Sequence, residues 1–339
     1  MSNFNEERKK IDEKINYILD SELKKHENNS FVKDLIGELK RLSKKGKRIR
    51  AYLIKLGQEL YEIDNDSYLD LAAAIEIFQT AILIHDDIID EADQRRNEKT
   101  INSKYPGHYG ISKGICAGDL GFFLSYDIIS NLNIPDKTKI NIIKIYTKTL
   151  YNTVIGEITD VELPLKDKEF HKSMNEAIIY DIYINKTAWY TIIGPLLIGS
   201  YSTGNDEIDK EKIISIGINL GIAFQIKDDL LGLDIDSNAT GKTLNDIKEG
   251  KQTIIYKYAI DNLGKEDLEY IKKYYGNLNV SSDESKKIIS IFDKVNARKK
   301  AEELVEKYTN KAISLIKEFK VQNKDKLIEF SNYLLNRRN

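Results

Sequence analysis

Along most of the chain, apolar residues return at three- and four-residue spacing. The stretches YLDLAAAIEIFQTAILIHDD (68–87) and AEELVEKYTNKAISLIKEF (301–319) show it most plainly, and that period lays one apolar stripe along a helix. Strand-like alternation bounded by turns is scarce. Start signals agree: Ser67 stands three residues before Asp70, as in a capping box, and Pro135 opens the run PDKTKINIIKIYTKTLYNTVIGEITDVEL. Breaks fall near Gly46 and at 63–66, 97–110, 131–135, 164–168, 203–208, 236–250 and 276–282. They leave about ten helices or more joined by short loops, with no repeat of fixed period and no Ser/Gly linker. The expectation is an all-α fold, one helical bundle larger than four helices, forming a single domain over residues 1–339.

Composition narrows the class. The 339 residues are 41% hydrophobic, enough for a sizeable core. Lysine and arginine number 52 against 54 aspartates and glutamates, a net charge of −2. No global field therefore draws the chain to nucleic acid or anionic membrane, and any basic site has to be local. One cysteine, Cys116, excludes an intrachain disulfide, and with four histidines a Cys/His zinc cage is not expected. The opening residues MSNFNEERKKIDEK are charged and carry no apolar core, so no signal peptide is expected. No apolar run approaches the roughly 18 residues of a membrane-spanning helix, and the expected location is the cytoplasm.

The stretch LIHDDIIDEADQRRNEKT (83–100) departs from a plain amphipathic pattern: an apolar helix runs into Asp86, Asp87 and Asp90, and Arg95 and Arg96 follow. Asp86 and Asp90 are four apart, on one helix face and about 6 Å apart along the axis. Like charges one turn apart repel, and a helix C-terminus disfavours anions, so the pair calls for a counter-charge. Oxygen-only ligands suit Mg²⁺, which keeps waters and shares itself with substrate phosphates. Guanidinium groups grip phosphate oxygens as a fork. Taken alone, DDxxD fits a solvated acidic helix end equally well. A second cluster shifts that balance: GIAFQIKDDLLGLDID (221–236) ends another apolar helix in Asp228 and Asp229, and TGKTLNDIKEGKQT (240–253) brings Lys242 and Lys251 after it. Two such helix ends facing across one cavity, with apolar walls below, suit a diphosphate with a hydrocarbon tail.

Other residues admit plainer readings. KKGKRIR (44–50) is a generic basic patch or nucleic-acid contact when read alone; Gly46 opening a helix at Lys47 favours a phosphate site. His85 beside Asp86 invites an HD-phosphohydrolase metal site, but His26, His108 and His171 show no supporting pattern. Trp189 and most tyrosines read as packing.

In order along the chain, six segments resemble the trans-prenyl diphosphate synthase (polyprenyl synthetase) family. GKRIR resembles GKxxR; DDIIDEADQRR the first aspartate-rich motif; GEITDVEL the GQxxD helix; NKTAW the Lys-Thr pair; FQIKDDLLGL the second aspartate-rich motif; and GKTLNDIKEGKQT the segment GKxxxDIxEGKxT. The resemblance covers nearly the whole chain. It implies the isoprenoid synthase fold, helices around a central cavity, and a homodimer. It implies that Asp86 and Asp90 bind two Mg²⁺ and Asp228 a third, supported by Asp87 and Asp229. Arg95, Lys186 and Lys242 would contact an allylic diphosphate; Lys47, Arg50, Gln79 and Arg96 would hold isopentenyl diphosphate. Thr187 and Gln225 would lie near the reacting carbons, Lys251 in a loop that closes over the site, and Asp160 near a metal-bound water. Arg337 and Arg338 are candidates to close over the second substrate. The implied reaction is ionisation of the allylic diphosphate, attack by the isopentenyl double bond and loss of a proton.

Three positions depart from the family pattern. Gly232 replaces the third aspartate of the second motif, as in some archaeal-type members; Asn97 replaces a common glycine after the double arginine; Glu157 replaces the glutamine of GQxxD. A class I terpene cyclase shares DDxxD but has no need of GKRIR, and a non-catalytic synthase subunit usually loses the first aspartates. In the family, aromatics four and five residues before the first aspartate commonly stop the chain at farnesyl length. Here Ile82 and Ala81 stand there, with Phe78 the next large ring, about 12 Å up the axis from Asp86. The expected main product is geranylgeranyl diphosphate, with farnesyl and longer chains as alternatives.

Overall fold

The computed structural model describes residues 2–61, 67–165, 175–233 and 244–336. Helices form nearly all of the regular structure. Among the described residues the one sheet is a ladder of Gln94–Arg95 against Glu98–Lys99. Some breaks escape the periodicity: a turn separates Ser2–Lys25 from Ser30–Ser43, and Asn296, at φ 59°, opens the helix Ala297–Glu318. Contacts gather the chain into two compact units, one of residues 1–146, 195–208 and 321–323, the other of 147–194, 209–320 and 324–339.

The first unit is built around the helix Ser67–Ile89, packed by Ser2–Lys25, Ser30–Ser43, Ile49–Glu59 and Gly107–Ser130. Its Leu71, Ala72, Ala73, Ala74, Ile75, Ile77, Phe78 and Ala81 are all buried, because a helix apolar on every side needs neighbours on every side. By length and composition Tyr68–Ile89 can cross a membrane, a correction to the expectation that no run comes near that length. Yet 67% of its apolar window is buried within the fold, as in a core helix. Glycines let the helix Gly107–Ser130 approach closely: a Cβ on Gly121 would lie 2.8 Å from the Cβ of Ala81.

The second unit centres on the helix Lys210–Gly232, packed against Tyr183–Ile193 and Ala297–Glu318. Ile222, Ala223 and Ile226 join Ile255, Tyr256, Ile288, Phe292 and Val305 in its core. Tyr183–Ile193 is a π-helix between the α-helices Glu176–Ile182 and Gly194–Ser202. Such widened turns gather at functional sites, and this one carries Lys186 and Thr187.

Candidate active site

In the first unit, Asp86 and Asp87 sit in the last turn of the helix Ser67–Ile89. Asp90 follows immediately, its N–H still bonded to the Asp86 carbonyl at 2.8 Å. The hairpin then folds Arg95 back onto the helix end: Nε donates to Asp87 Oδ1 at 2.5 Å and Nη2 to Asp86 Oδ2 at 2.7 Å. Burial alone would push the Arg95 guanidinium down, but the carboxylates of Asp86, Asp87 and Asp90 outweigh it and hold it above its ordinary value. Asp87 is 1% exposed, while Asp86 and Asp90 are partly open. The turn residues Arg96 and Asn97 have φ 53° and 62°, the left-handed pair that a two-residue type I′ hairpin demands. Asparagine tolerates that conformation, which accounts for Asn97 in place of glycine.

Arg96 is half-buried and lowered to about 10, by burial first and then by Arg95, with Arg48 and Arg50 adding to it. Burial and neighbouring cations thus disfavour the charge on Arg96, and an anion beside it would offset both. On the helix beside Asp86, Gln79 Oε1 is buried with no hydrogen-bond partner among the described residues. Lys47 is exposed and Arg50 half-buried. The helix here begins at Ile49, not at Lys47 as the sequence suggested, because Arg48 caps it at φ 58°. That conformation is held by a buried network that sequence reading missed: Arg48 Nε donates to Asp12 at 2.6 Å, Nη1 to Glu76 at 3.1 Å and Nη2 to the Ser43 carbonyl at 2.5 Å. Glu76 also accepts from Ala51 N–H at 3.2 Å, tying the GKRIR loop to the aspartate helix. Its only signal was a lone carboxylate in an apolar helix. His85 turns away from the aspartates: Nε2 meets the Ile115 carbonyl at 3.1 Å and the ring packs on Phe122.

In the second unit, Lys186 lies between Glu157 and Asp160, with Nζ at 2.8 and 2.6 Å from their carboxylates. Glu157 thus adds a charge where the family pattern has a neutral amide. The approach depends on Gly156, since a Cβ there would collide with the Lys186 backbone. Thr187 Oγ1 donates to Gln225 Oε1, and Gln225 Nε2 donates to Asp229 Oδ1 at 2.8 Å. The Tyr183 hydroxyl donates to Asp229 Oδ2. Asp229 is 5% exposed and raised to about 8, by burial first and then by Asp246, while its hydrogen bonds from Tyr183 and Gln225 pull it back. Asp228 remains partly open.

Gly232 has a specific neighbour. A Cβ there would lie 2.5 Å from Asp246 Oδ2, so the Asp246 carboxylate occupies the space that the family's third aspartate would enter. Asp246 belongs to the quoted GKxxxDIxEGKxT pattern, where it drew no role. Lys251 is pinned by its backbone: its N–H donates to the Asp246 carbonyl at 2.9 Å and its carbonyl accepts from Tyr275 Oη at 2.5 Å. Its ammonium pairs with Glu249 at 3.2 Å. Lys242, Arg337, Arg338 and His171 lie outside the described residues.

The donor set fits magnesium. The open carboxylates of Asp86 and Asp90 are oxygen ligands one helical turn apart; among the described residues no three acidic, histidine or cysteine groups are gathered where they could hold a metal ion by themselves. Mg²⁺ is bound in this way, by one or two carboxylates completed by substrate phosphates and water.

The polyprenyl synthetase family model matches residues 35–292. The chain belongs to the polyprenyl synthetase family. A short chain isoprenyl diphosphate synthase of Methanocaldococcus jannaschii is 32% identical over 247 residues, 73% of this chain and 72% of that protein. A geranylgeranyl diphosphate synthase of Sulfolobus acidocaldarius is 30% identical over 275 residues, 79% of each. The crystal structure of a geranylgeranyl pyrophosphate synthase from Corynebacterium glutamicum, complexed with isoprenyl diphosphate and magnesium, superposes with a TM-score of 0.88 at 25% identity. It covers 97% of this chain and 98% of that one. This polyprenyl synthetase is accordingly a prenyltransferase of the all-α isoprenoid synthase fold, and divalent-metal use comes with the family.

Proposed function

We propose that this polyprenyl synthetase is a cytoplasmic short-chain enzyme that condenses isopentenyl diphosphate with an allylic diphosphate, with geranylgeranyl diphosphate as main product. The observation that carries the reading is that the basic segment KKGKRIR and the Arg95–Arg96 hairpin meet, Lys45 Nζ donating to the Arg96 carbonyl at 3.4 Å, in the same unit as the Asp86–Asp90 helix end. Chain elongation needs a second diphosphate site beside the ionising one; a cyclase does not. Both units would serve one catalytic domain, 1–339, in keeping with a family match that runs through both.

Asp86, Asp90 and Asp228 would hold up to three Mg²⁺ ions, whose charge would offset that developing on the diphosphate leaving group. Asp87 and Asp229 stand behind them, buried and fixed by Arg95, Gln225 and Tyr183. Arg95, Lys186, Lys242 and Lys251 bind the allylic diphosphate; Lys47, Arg50, Gln79 and Arg96 hold isopentenyl diphosphate. The Thr187–Gln225 pair presents fixed dipoles toward the allylic cation. Orientation of the isopentenyl double bond supplies much of the rate, and a diphosphate oxygen takes the departing proton. The product length is supported by an aromatic cluster at the level of Phe78, whose ring lies 4.8 Å from Phe122 and 5.8 Å from Tyr146.

The active form is a homodimer. Phe123 is 74% exposed on one helix, and Tyr151, Val154, Ile155 and Ile158 are exposed along Asp136–Leu165. Such contiguous apolar faces mark interfaces. Incubation with labelled isopentenyl diphosphate, Mg²⁺ and dimethylallyl, geranyl or farnesyl diphosphate, followed by chain-length analysis, tests the assignment. The expected product has twenty carbons, and no elongation from any primer would sink the proposal.

A further inference from the structure

The Tyr183 side chain is buried at 3% exposure, its ring packed in the second unit's core with Ile179, Ile226 and Ile255. Its hydroxyl has two partners from distant segments. It donates to Asp229 Oδ2, at the end of the Lys210–Gly232 helix, and accepts from the Ile254 N–H at 3.0 Å. Ile254 is the first residue of the helix Ile254–Asn262, three residues after Lys251. The first N–H groups of a helix have no partner within it. Here one of them is satisfied by a tyrosine three residues before Lys186. Thr253, which caps that helix, is itself bonded to the Lys251 carbonyl at 3.1 Å. One oxygen atom therefore joins the Lys186–Thr187 segment, the Asp228–Asp229 helix end and the Lys251 turn.

We propose that Tyr183 is a positioning residue whose hydroxyl locks the Asp228–Asp229 helix end to the Lys251 turn, fixing together the groups that meet the metal-bound diphosphate. This rests on the reading of Asp228 as a metal ligand and Lys251 as a phosphate contact. Phenylalanine keeps the ring but strands both Asp229 Oδ2 and the Ile254 N–H in a dry core. Asp229 is then held by Gln225 alone, and the helix end that carries Asp228 loses its tie to the Lys251 turn. Partners standing behind metal ligands typically matter about 10- to 100-fold in affinity or activity.

The test is calorimetric binding of inorganic diphosphate in the presence of Mg²⁺, alongside steady-state kinetics. Tyr183→Phe is expected to weaken diphosphate binding about tenfold and to raise KM for the allylic substrate, leaving KM for isopentenyl diphosphate unchanged. A merely structural role would lower the melting temperature and the active fraction while the folded protein bound diphosphate as the wild type does; that result overturns the proposal. Should Tyr183→Phe fail to fold, Ile254→Pro removes the N–H together with a buried isoleucine side chain, and Ile254→Ala, which trims that side chain and keeps the N–H, is its control. Proline is favoured at the first helical position, and Thr253 before it is already extended, with ψ 165°. Weaker diphosphate binding by Ile254→Pro than by Ile254→Ala supports the lock, and equal binding overturns it. Asp228→Ala separates the two levels. If it binds Mg²⁺ and diphosphate normally, the underlying assignment fails; if it loses binding while Tyr183→Phe is silent, only the lock fails.

Discussion

At the scale of single residues, charge balance decides what each aspartate can do. Arg95 bonds both Asp86 and Asp87, so removing the Asp86 carboxylate leaves the guanidinium paired. Asp86→Ala should keep its helical circular dichroism while turnover falls about 100- to 1,000-fold; near-normal turnover would remove Asp86 from the metal set. Asp228→Ala should behave alike. Gly232 yields the opposite kind of prediction. Restoring the family's aspartate there brings a second carboxylate against Asp246, whose oxygen lies 2.5 Å from the new Cβ position. Gly232→Asp should therefore lower both melting temperature and turnover, and a gain in either would show that Asp246 does not fill that space.

At the scale of elements, the proposed product length is tested on the first-aspartate helix. Ala81, the position that the family pattern offers for shortening the product, is fully buried against Gly121. Ala81→Phe would have to move the helix Gly107–Ser130, so its expected effect is loss of stability. Ile82 is partly open and is the better site: Ile82→Phe should shift product toward fifteen carbons by chain-length analysis. Phe78→Ala should lengthen it, though Phe122 and Tyr146 remain, the latter anchored by its hydroxyl bond to Ser125 at 2.8 Å. Unchanged length in both variants would place the tunnel on another face. The Arg95–Arg96 hairpin has its own test. Asn97 at φ 62° admits glycine freely, whereas Asn97→Val should cost roughly 1–2 kcal/mol, read from the midpoint of chemical unfolding.

At the scale of the molecule, the proposed homodimer is tested on the exposed apolar side chains of Gly107–Ser130 and Asp136–Leu165. Phe123→Glu together with Ile158→Glu should give a monomer by sedimentation, since a buried charge without a counter-ion opposes association. A stable dimer in that variant would move the interface elsewhere.

Residue periodicity was enough to establish helices throughout, because an amphipathic stripe is a local property. The order of six short motifs was enough to point to the family, because each needs particular residue types at fixed spacing. The buried partners were not legible. Glu76 and Arg48 lie 28 residues apart and Tyr183 and Ile254 lie 71 apart, and no spacing announces a bond made across a packed core. The π-helix at Tyr183–Ile193 was likewise hidden, since its apolar pattern matches that of an α-helix. Sequence nominated the charged groups and the candidate metal ligands. Tertiary packing decided which carboxylates stay open, as Asp86 and Asp228 do, and which are buried with protein partners, as Asp87 and Asp229 are. The physical reason is that solvent access and hydrogen-bond partners belong to the folded surroundings of a side chain, not to its neighbours in the chain.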